Sequence, residues 1–299
     1  MQKILVTGCC GFIGSHLVDE LMRRGYFVVG LDNLSTGNIK NLEKAFDNPG
    51  LFKFIEGDIR DERAVAKAMK GMEYVLHTAA LARIQPSIKE PKLYHDVNTR
   101  GTLNLLVEAQ KRRVRKFVFS SSSSVYGRDA DEPLSEDMLI HPGSPYAVGK
   151  AWAEMTCAMF SEVYRLPTIC LRYFNVFGPR MIPSGSYAAV ISIFIDQKKN
   201  DNPLTVVGDG EQRRDMTWID DVVDANMRAM LSEETGIFNI GSGKNHSINE
   251  IAKMIGGQVE HLDKRQGEYR TTLADHSKAT EKLGWMPQTS FEEGMAKIL

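Results

Sequence analysis

Tyr146 and Lys150 stand four residues apart in the stretch Tyr146-Ala147-Val148-Gly149-Lys150. On a helix that spacing puts both side chains on one face. An ammonium beside a phenol stabilises the phenolate, and a tyrosine, which ordinarily ionises near pH ~10, serves as a base near neutrality only with such help. Upstream, Lys116–Gly127 reads KFVFSSSSSVYG, a run of five serines. Phe117, Val118 and Phe119 precede the run as a buried strand, and Val125, Tyr126 and Gly127 close it. A flexible linker would not be framed this way. The hydroxyls satisfy a strand-end turn or face a ligand, and several can do the first while one does the second.

A second group lies at the N-terminus. A short apolar run ends in Thr7-Gly8-Cys9-Cys10-Gly11-Phe12-Ile13-Gly14, and helical spacing follows at once. Glycines there let the backbone turn tightly and approach a pyrophosphate, and the helix N-terminus offers free N–H groups to it. The next apolar run ends in Asp32-Asn33. A carboxylate at that position accepts the ribose hydroxyls of an adenosine and repels a 2′-phosphate. With no arginine beside it, this favours NAD over NADP. Asp58, in EGDIRD, ends the third run, within reach of an adenine amino group. The plainer alternative is that these glycines and acids only make turns.

Positioning such groups takes strands with their carboxyl ends side by side. Runs suited to strands occur at Lys3–Val6, Phe27–Leu31, Leu51–Ile55, Tyr74–His77, Lys116–Ser120 and Thr168–Tyr173. Helical spacing fills Ser15–Arg24, Glu62–Lys70, Asn98–Arg112 and Tyr146–Tyr164. Strands alternating with helices predict an α/β fold with a doubly wound parallel sheet, in which ligands gather at the carboxyl ends. After Asn175 the rhythm breaks at the loop VFGPRMIPSGS. Helices near Tyr187–Asp196, Asp220–Leu231 and Ile248–Ile255, strands at Leu204–Val207 and Ile237–Asn239, and a last helix from Ser290 complete the chain. We expect residues 1–175 to form a Rossmann domain and residues 176–299 mainly a smaller mixed α/β substrate lobe. Some later segments, about 208–240, should return to the first domain.

The bulk numbers exclude other classes. A net charge of −1 argues against a nucleic-acid binder, which needs a basic field. The four cysteines have no zinc-site spacing and form no disulfide framework, so we expect reduced thiols, no metal and a cytoplasmic protein. The opening MQKILVTG lacks the charged head and apolar core of a signal peptide, and no apolar window is long enough for a membrane span.

Taken together, TGxxGFIG, the DN after the second strand, SSSSxVYG and YxxxK resemble the extended short-chain dehydrogenase/reductase family across essentially the whole chain. RYFNVFGPR (Arg172–Arg180), GDGEQRRDM (Gly208–Met216) and LADHSKA (Leu273–Ala279) are most similar to its UDP-hexose and UDP-N-acetylhexosamine 4-epimerases. The resemblance implies a catalytic set of Ser122, Tyr146 and Lys150. It implies NAD contacts from Gly8, Gly11, Phe12, Ile13, Gly14, Asp32, Asn33, Ser35, Thr36, Gly37, Asp58, Ile59, Ala79, Ala80, Asn98, Ser120, Tyr146, Lys150 and Tyr173. For the UDP-sugar it implies Ser122, Ser124, Asn175, Val190, Arg214, Arg265, Glu268 and Thr272, with Arg214 and Arg265 on the diphosphate and Val190 at the uracil. Guanidinium suits phosphate oxygens through bidentate bonds.

The implied reaction is transient oxidation at the sugar C4, giving a 4-keto intermediate, followed by hydride return to the opposite face. The family's dehydratases tend to carry Asp and Glu at the two positions between the catalytic hydroxyl and VYG, and its decarboxylases a Glu at the second. Here Ser123 and Ser124 occupy them, which favours epimerisation, since a serine hydroxyl is a poor acid/base substitute. Thr272 is small where a tyrosine would restrict the pocket to plain hexoses, so N-acetylhexosamines should also fit. Alternatives are a UDP-glucuronate 4-epimerase, another nucleotide-sugar dehydratase or reductase, or a non-catalytic NAD-binding sensor. The family also implies a homodimer built on the two long helices.

Overall fold

The computed structural model describes residues 1–127, 132–183, 185, 188–263 and 270–299. Seven strands form its main sheet: β1 (Lys3–Thr7), β2 (Phe27–Asp32), β3 (Phe52–Glu56), β4 (Tyr74–His77), β5 (Lys116–Ser122), β6 (Thr168–Tyr173) and β7 (Gly236–Ile240). Their order is β7-β6-β5-β4-β1-β2-β3 and every pairing is parallel. The central strands read as continuous apolar runs because helices cover both faces. Alternation along β1 assigns the faces: Ile4 and Val6 enter one core, Leu5 the other.

One face carries α1 (Phe12–Arg23); the other carries α2 (Glu62–Ala68), α3 (Thr102–Lys111) and α4 (Pro145–Tyr164). Expected strand ends agree within about two residues. The helix expected over Asn98–Arg112 begins differently. Asp96–Gly101 is a π-helical turn that widens the backbone before α3 starts at Thr102. Single π turns of this kind accompany functional sites. α4 starts where the sequence predicts: Ser144 accepts from the Ala147 N–H as N-cap, and Pro145 takes the first helical position.

The second lobe holds α5 (Val190–Lys199) and α7 (Ile248–Ile255) with three two-stranded pieces. Leu204–Val207 pairs with Val259–Leu262, a strand the sequence reading missed. Arg213–Asp215 pairs with Asn245–Ser247, and Val176–Phe177 with Thr217–Trp218. What rejoins the main sheet is α6 (Ile219–Leu231), packed on α1, together with β7. The last helix has the expected capping box: the Glu293 N–H donates to Ser290 Oγ, and the Ser290 N–H to the Glu293 carboxylate. No helix among the described residues is long and apolar enough to cross a membrane.

Candidate active site

The β1–α1 loop forms a cradle. Gly8 has φ of 67°, and a Cβ there would lie 2.8 Å from the Ala79 backbone. A Cβ on Gly14 would lie 2.1 Å from the Gly8 carbonyl oxygen. Only glycine fits either place. Gly11 caps α1 without a side-chain bond, and no acid occupies the first turn, so the helix start is open to an anion. Phe12 and Ile13 follow as the first helical residues and pack on the core.

Asp32 closes β2 beside this cradle, buried. Its carboxylate accepts from the Cys10 N–H at 2.9 Å and the Leu34 N–H at 2.8 Å. Burial pushes it above the ordinary carboxylate range, and those N–H groups pull it back. Ser35, Thr36 and Gly37 run across the mouth, with Ser35 bonded to Asn33 Oδ1. Asn33 and Asp58 are brought together: Asn33 Nδ2 donates to Asp58 at 2.8 Å, and the Arg60 guanidinium pairs with the same carboxylate at 2.7 Å. Arg60 holds Asp58 down at about 2. An adenine amino group would therefore share Asp58 with an arginine that the sequence reading did not foresee.

Across the switch point, Ala79 and Ala80 leave β4, and Asn98 clamps the next residue. Its Oδ1 accepts from the Leu81 N–H and its Nδ2 donates to the Leu81 carbonyl, both at 2.9 Å. Ile59 packs against Gly101 of the π turn. The Tyr94 hydroxyl donates to the Ala82 carbonyl, so the loop is pinned at two successive residues. Arg83 follows with φ of 82°, strained for a residue with a side chain.

The serine run resolves by parity. On a strand, alternate residues face opposite sides. Ser120 and Ser122 share one side: Ser120 Oγ lies 3.0 Å from the Tyr173 hydroxyl, and the Ser122 hydroxyl is near enough to Tyr146 to favour its ionisation. Ser121 faces away and donates to Glu154 at 2.5 Å; Glu154 is itself paired with Arg172 at 2.8 Å, both buried. The Ser124 N–H donates to Ser122 Oγ at 3.2 Å, and Ser124 is buried. The Tyr173 hydroxyl also meets Asn226 Nδ2 at 2.8 Å, a contact from α6 that no motif announced.

Lys150 lies buried beneath, donating to the Ser120 carbonyl at 2.7 Å with its ammonium 4.7 Å from the Phe119 ring. Burial lowers it to about 8. The expected effect on Tyr146 is not found. Lys150 Nζ sits 5.9 Å from the Tyr146 ring centre and is turned to the carbonyl. Burial pushes the phenol above its ordinary value, opposed by Ser122 and then by the charge of Arg83. In the protein alone, desolvation outweighs the lysine.

In the second lobe, Asn175 and Thr272 meet: Asn175 Nδ2 donates to the Asp215 carbonyl at 3.0 Å and reaches Thr272 Oγ1 at 3.3 Å. Thr272 is buried. Arg214 donates to the carbonyls of Arg213 at 2.8 Å and Arg270 at 3.4 Å. Val190 opens α5 against the core. Arg265 and Glu268 lie outside the described residues. Cys9 and Cys10 are fully buried; a Cβ on Gly30 of β2 would lie 2.6 Å from Cys9 Sγ.

A glycine cradle at a helix start, a carboxylate at the end of β2 and a Ser-Tyr-Lys set at the ends of β5 and α4 define an NAD-dependent short-chain dehydrogenase/reductase. Comparison with known proteins agrees. The family profile described as GDP-mannose 4,6 dehydratase matches residues 5–298. A curated relative, the putative UDP-glucose 4-epimerase of Methanocaldococcus jannaschii, is 40% identical over 99% of this chain and 97% of its own. The crystal structure of the Thermotoga maritima UDP-glucose 4-epimerase with UDP-glucose superposes with a TM-score of 0.94 at 38% identity, covering 99% of this chain and 97% of that one. That of the Bacillus cereus UDP-glucuronic acid 4-epimerase with UDP-glucuronic acid and NAD gives 0.92 at 33%, covering 99% and 97%. The chain belongs to the extended short-chain dehydrogenase/reductase family, among its UDP-sugar 4-epimerases, and NAD is its cofactor.

Proposed function

We propose that the protein interconverts the C4 epimers of UDP-hexoses: UDP-glucose with UDP-galactose and, through the small Thr272, UDP-GlcNAc with UDP-GalNAc. One observation carries this reading. Ser122, Tyr146 and Lys150 meet at the carboxyl end of the sheet, while the neighbouring carboxylate, Glu154, is on the other side of β5 and committed to Arg172. Dehydration would need a free acid at 123 or 124, where serines stand.

Gly8, Gly11, Gly14 and the start of α1 would hold the pyrophosphate of NAD, Asp32 the adenosine ribose, and Lys150 with Tyr146 the nicotinamide ribose. When bound, NAD takes up and returns the C4 hydride. Tyr146 accepts the proton of the sugar 4-hydroxyl and gives it back. Ser122 holds the same oxygen through its hydroxyl. Lys150 supplies the positive charge that makes the phenolate tolerable, once drawn from the Ser120 carbonyl. Asn175, Arg214 and Arg265 would take the diphosphate. We expect a homodimer and a cytoplasmic location; Val148, Met155, Met159 and Val163, exposed along α4, support an apolar interface.

A second reading, UDP-glucuronate 4-epimerisation, is favoured by Arg83, a cation whose charge reaches Tyr146 and could meet a C6 carboxylate. The test is to incubate pure protein with UDP-glucose, UDP-GlcNAc and UDP-glucuronate separately and resolve products by NMR. C4 epimers of the first two without net NADH are expected. Epimerisation of UDP-glucuronate alone would establish the second reading, and a deoxy or pentose product would overturn both.

A further inference from the structure

The adjacent thiols in the glycine loop have no part in the chemistry above. Cys9 Sγ and Cys10 Sγ lie 3.9 Å apart, both fully buried. With a carboxylate oxygen of Asp32 they form a triangle no side of which exceeds 4.8 Å. Two sulfurs on one tetrahedral zinc, at Zn–S of about 2.3 Å, are about 3.8 Å apart. The pair already has that spacing. A disulfide fits worse: it needs S–S near ~2.05 Å and Cα atoms at least ~4.4 Å apart, whereas neighbours across a trans peptide are ~3.8 Å apart.

We propose that Cys9, Cys10 and Asp32 form a site for a thiophilic divalent cation, Zn²⁺ or its analogue Cd²⁺, inside the cofactor loop. Two thiolates and one carboxylate make a three-ligand set with a fourth position for water. The support a metal ligand needs is present, since the Cys10 and Leu34 N–H groups orient the Asp32 oxygens. Access is through residues 33–37: Asn33, Ser35 and Thr36 are exposed. Gly37 backs directly on the site, where a Cβ would lie 2.8 Å from Cys10 Cβ and 3.1 Å from Asp32 Oδ2. Asp32 is also the carboxylate assigned to the adenosine ribose, so metal and NAD exclude each other; this part alone rests on the proposed function.

The test is titration of the NAD-depleted full chain with Cd²⁺, following the ultraviolet thiolate-to-cadmium charge-transfer band. One equivalent per chain is expected. The band should vanish in Cys9→Ala and Cys10→Ala, and affinity should fall at least about tenfold in Asp32→Asn. Cys157 and Cys170, the other two buried cysteines, are the control, and Cys157→Ala should leave the band intact. No stoichiometric band in wild-type protein overturns the proposal, as does a band that follows Cys157 instead. Circular dichroism checks each variant's fold, and the wild-type titration decides if one fails. Saturating NAD should weaken Cd²⁺ binding; a wild-type band indifferent to NAD would leave the metal site standing and remove Asp32 from the ribose.

Discussion

The two halves of the molecule rely on strand pairing to different extents in burying polar groups. In the cofactor half a seven-stranded parallel ladder satisfies most of the backbone; some buried polar side chains pair with one another, while Asp32, Asn98 and Lys150 bond to backbone at the strand ends. His77 sits between Thr7 Oγ1 at 2.8 Å and Thr102 Oγ1 at 2.9 Å; Ser120, Tyr173 and Asn226 form a second chain. In the C-terminal half the strands outside the main sheet come in twos, and side chains satisfy more of the backbone. Asp215, fully buried, accepts from Ser242 N and Oγ at 2.7 Å and from Gly243 N and Ala274 N at 3.0 Å. The residues proposed to meet substrate, Asn175, Thr272 and Arg214, are bonded around that knot. The ladder shapes one half and the knot the other, and in both the proposed ligand contacts, Lys150 as well as Asn175 and Arg214, already have partners to exchange.

Three changes would break or sharpen this contrast. The largest effect belongs to Tyr146→Phe. Positioned acid–base groups contribute ~10²–10⁴-fold, so kcat should fall by about 10³, with substrate affinity and melting temperature nearly unchanged because the ladder, not this hydroxyl, holds the site. A loss under about tenfold would take the proton transfer away from Tyr146. Asp215→Asn comes next. It places a donor amide against N–H groups, at a cost of about 3 kcal/mol, and should raise KM for UDP-sugar together with the loss of stability in urea. Weakened stability with an unchanged KM would show that the knot does not organise the substrate side.

The smallest effect is a pH slope. Burial lowers His77 to about 3 from an ordinary value of 6.5. The unfolded chain therefore binds the proton first, and stability present above pH 6.5 is lost as pH falls toward 3, at up to about 1.4 kcal/mol per unit. Urea midpoints at pH 6.5 and 5.5 should diverge by about 1 kcal/mol between wild type and His77→Gln. Parallel slopes would mean that the histidine is solvated despite its place between the threonines.

The cofactor half was also the more legible in sequence, for the same reason. A parallel ladder writes itself as apolar runs, and its site residues follow the strand ends, so the glycine loop and Asp32 could be read by position, while the choice of Ser122 among the serines came from the family resemblance. Arg60 on Asp58, Asn226 on Tyr173 and the clamp of Asn98 on Leu81 could not, because each joins residues that no local period relates. Asp215 was hidden inside GDGEQRRDM, a motif that pointed to Arg214, since the value of a carboxylate as a hub depends on donors 27 to 59 residues away. The lysine's failure to lower Tyr146 was equally invisible: helical spacing gives a shared face, while the rotamer that sends Lys150 to the Ser120 carbonyl is set by β5.

The serine run has a consequence for how this chain tolerates length changes. Loss of any one of the five gives the same shortened protein, still reading Phe-Ser-Ser-Ser-Ser-Val. Composition, hydropathy and strand propensity at the site would hardly register the event. The strand itself would not register it either: held through Phe117–Phe119, it would still carry serines on the same sides at 120–122, and the missing residue would come out of the 3₁₀ turn Ser123–Tyr126. Spelling and meaning are uncoupled here: identical letters carry different instructions, three told apart by parity along β5 and two by the turn that follows it.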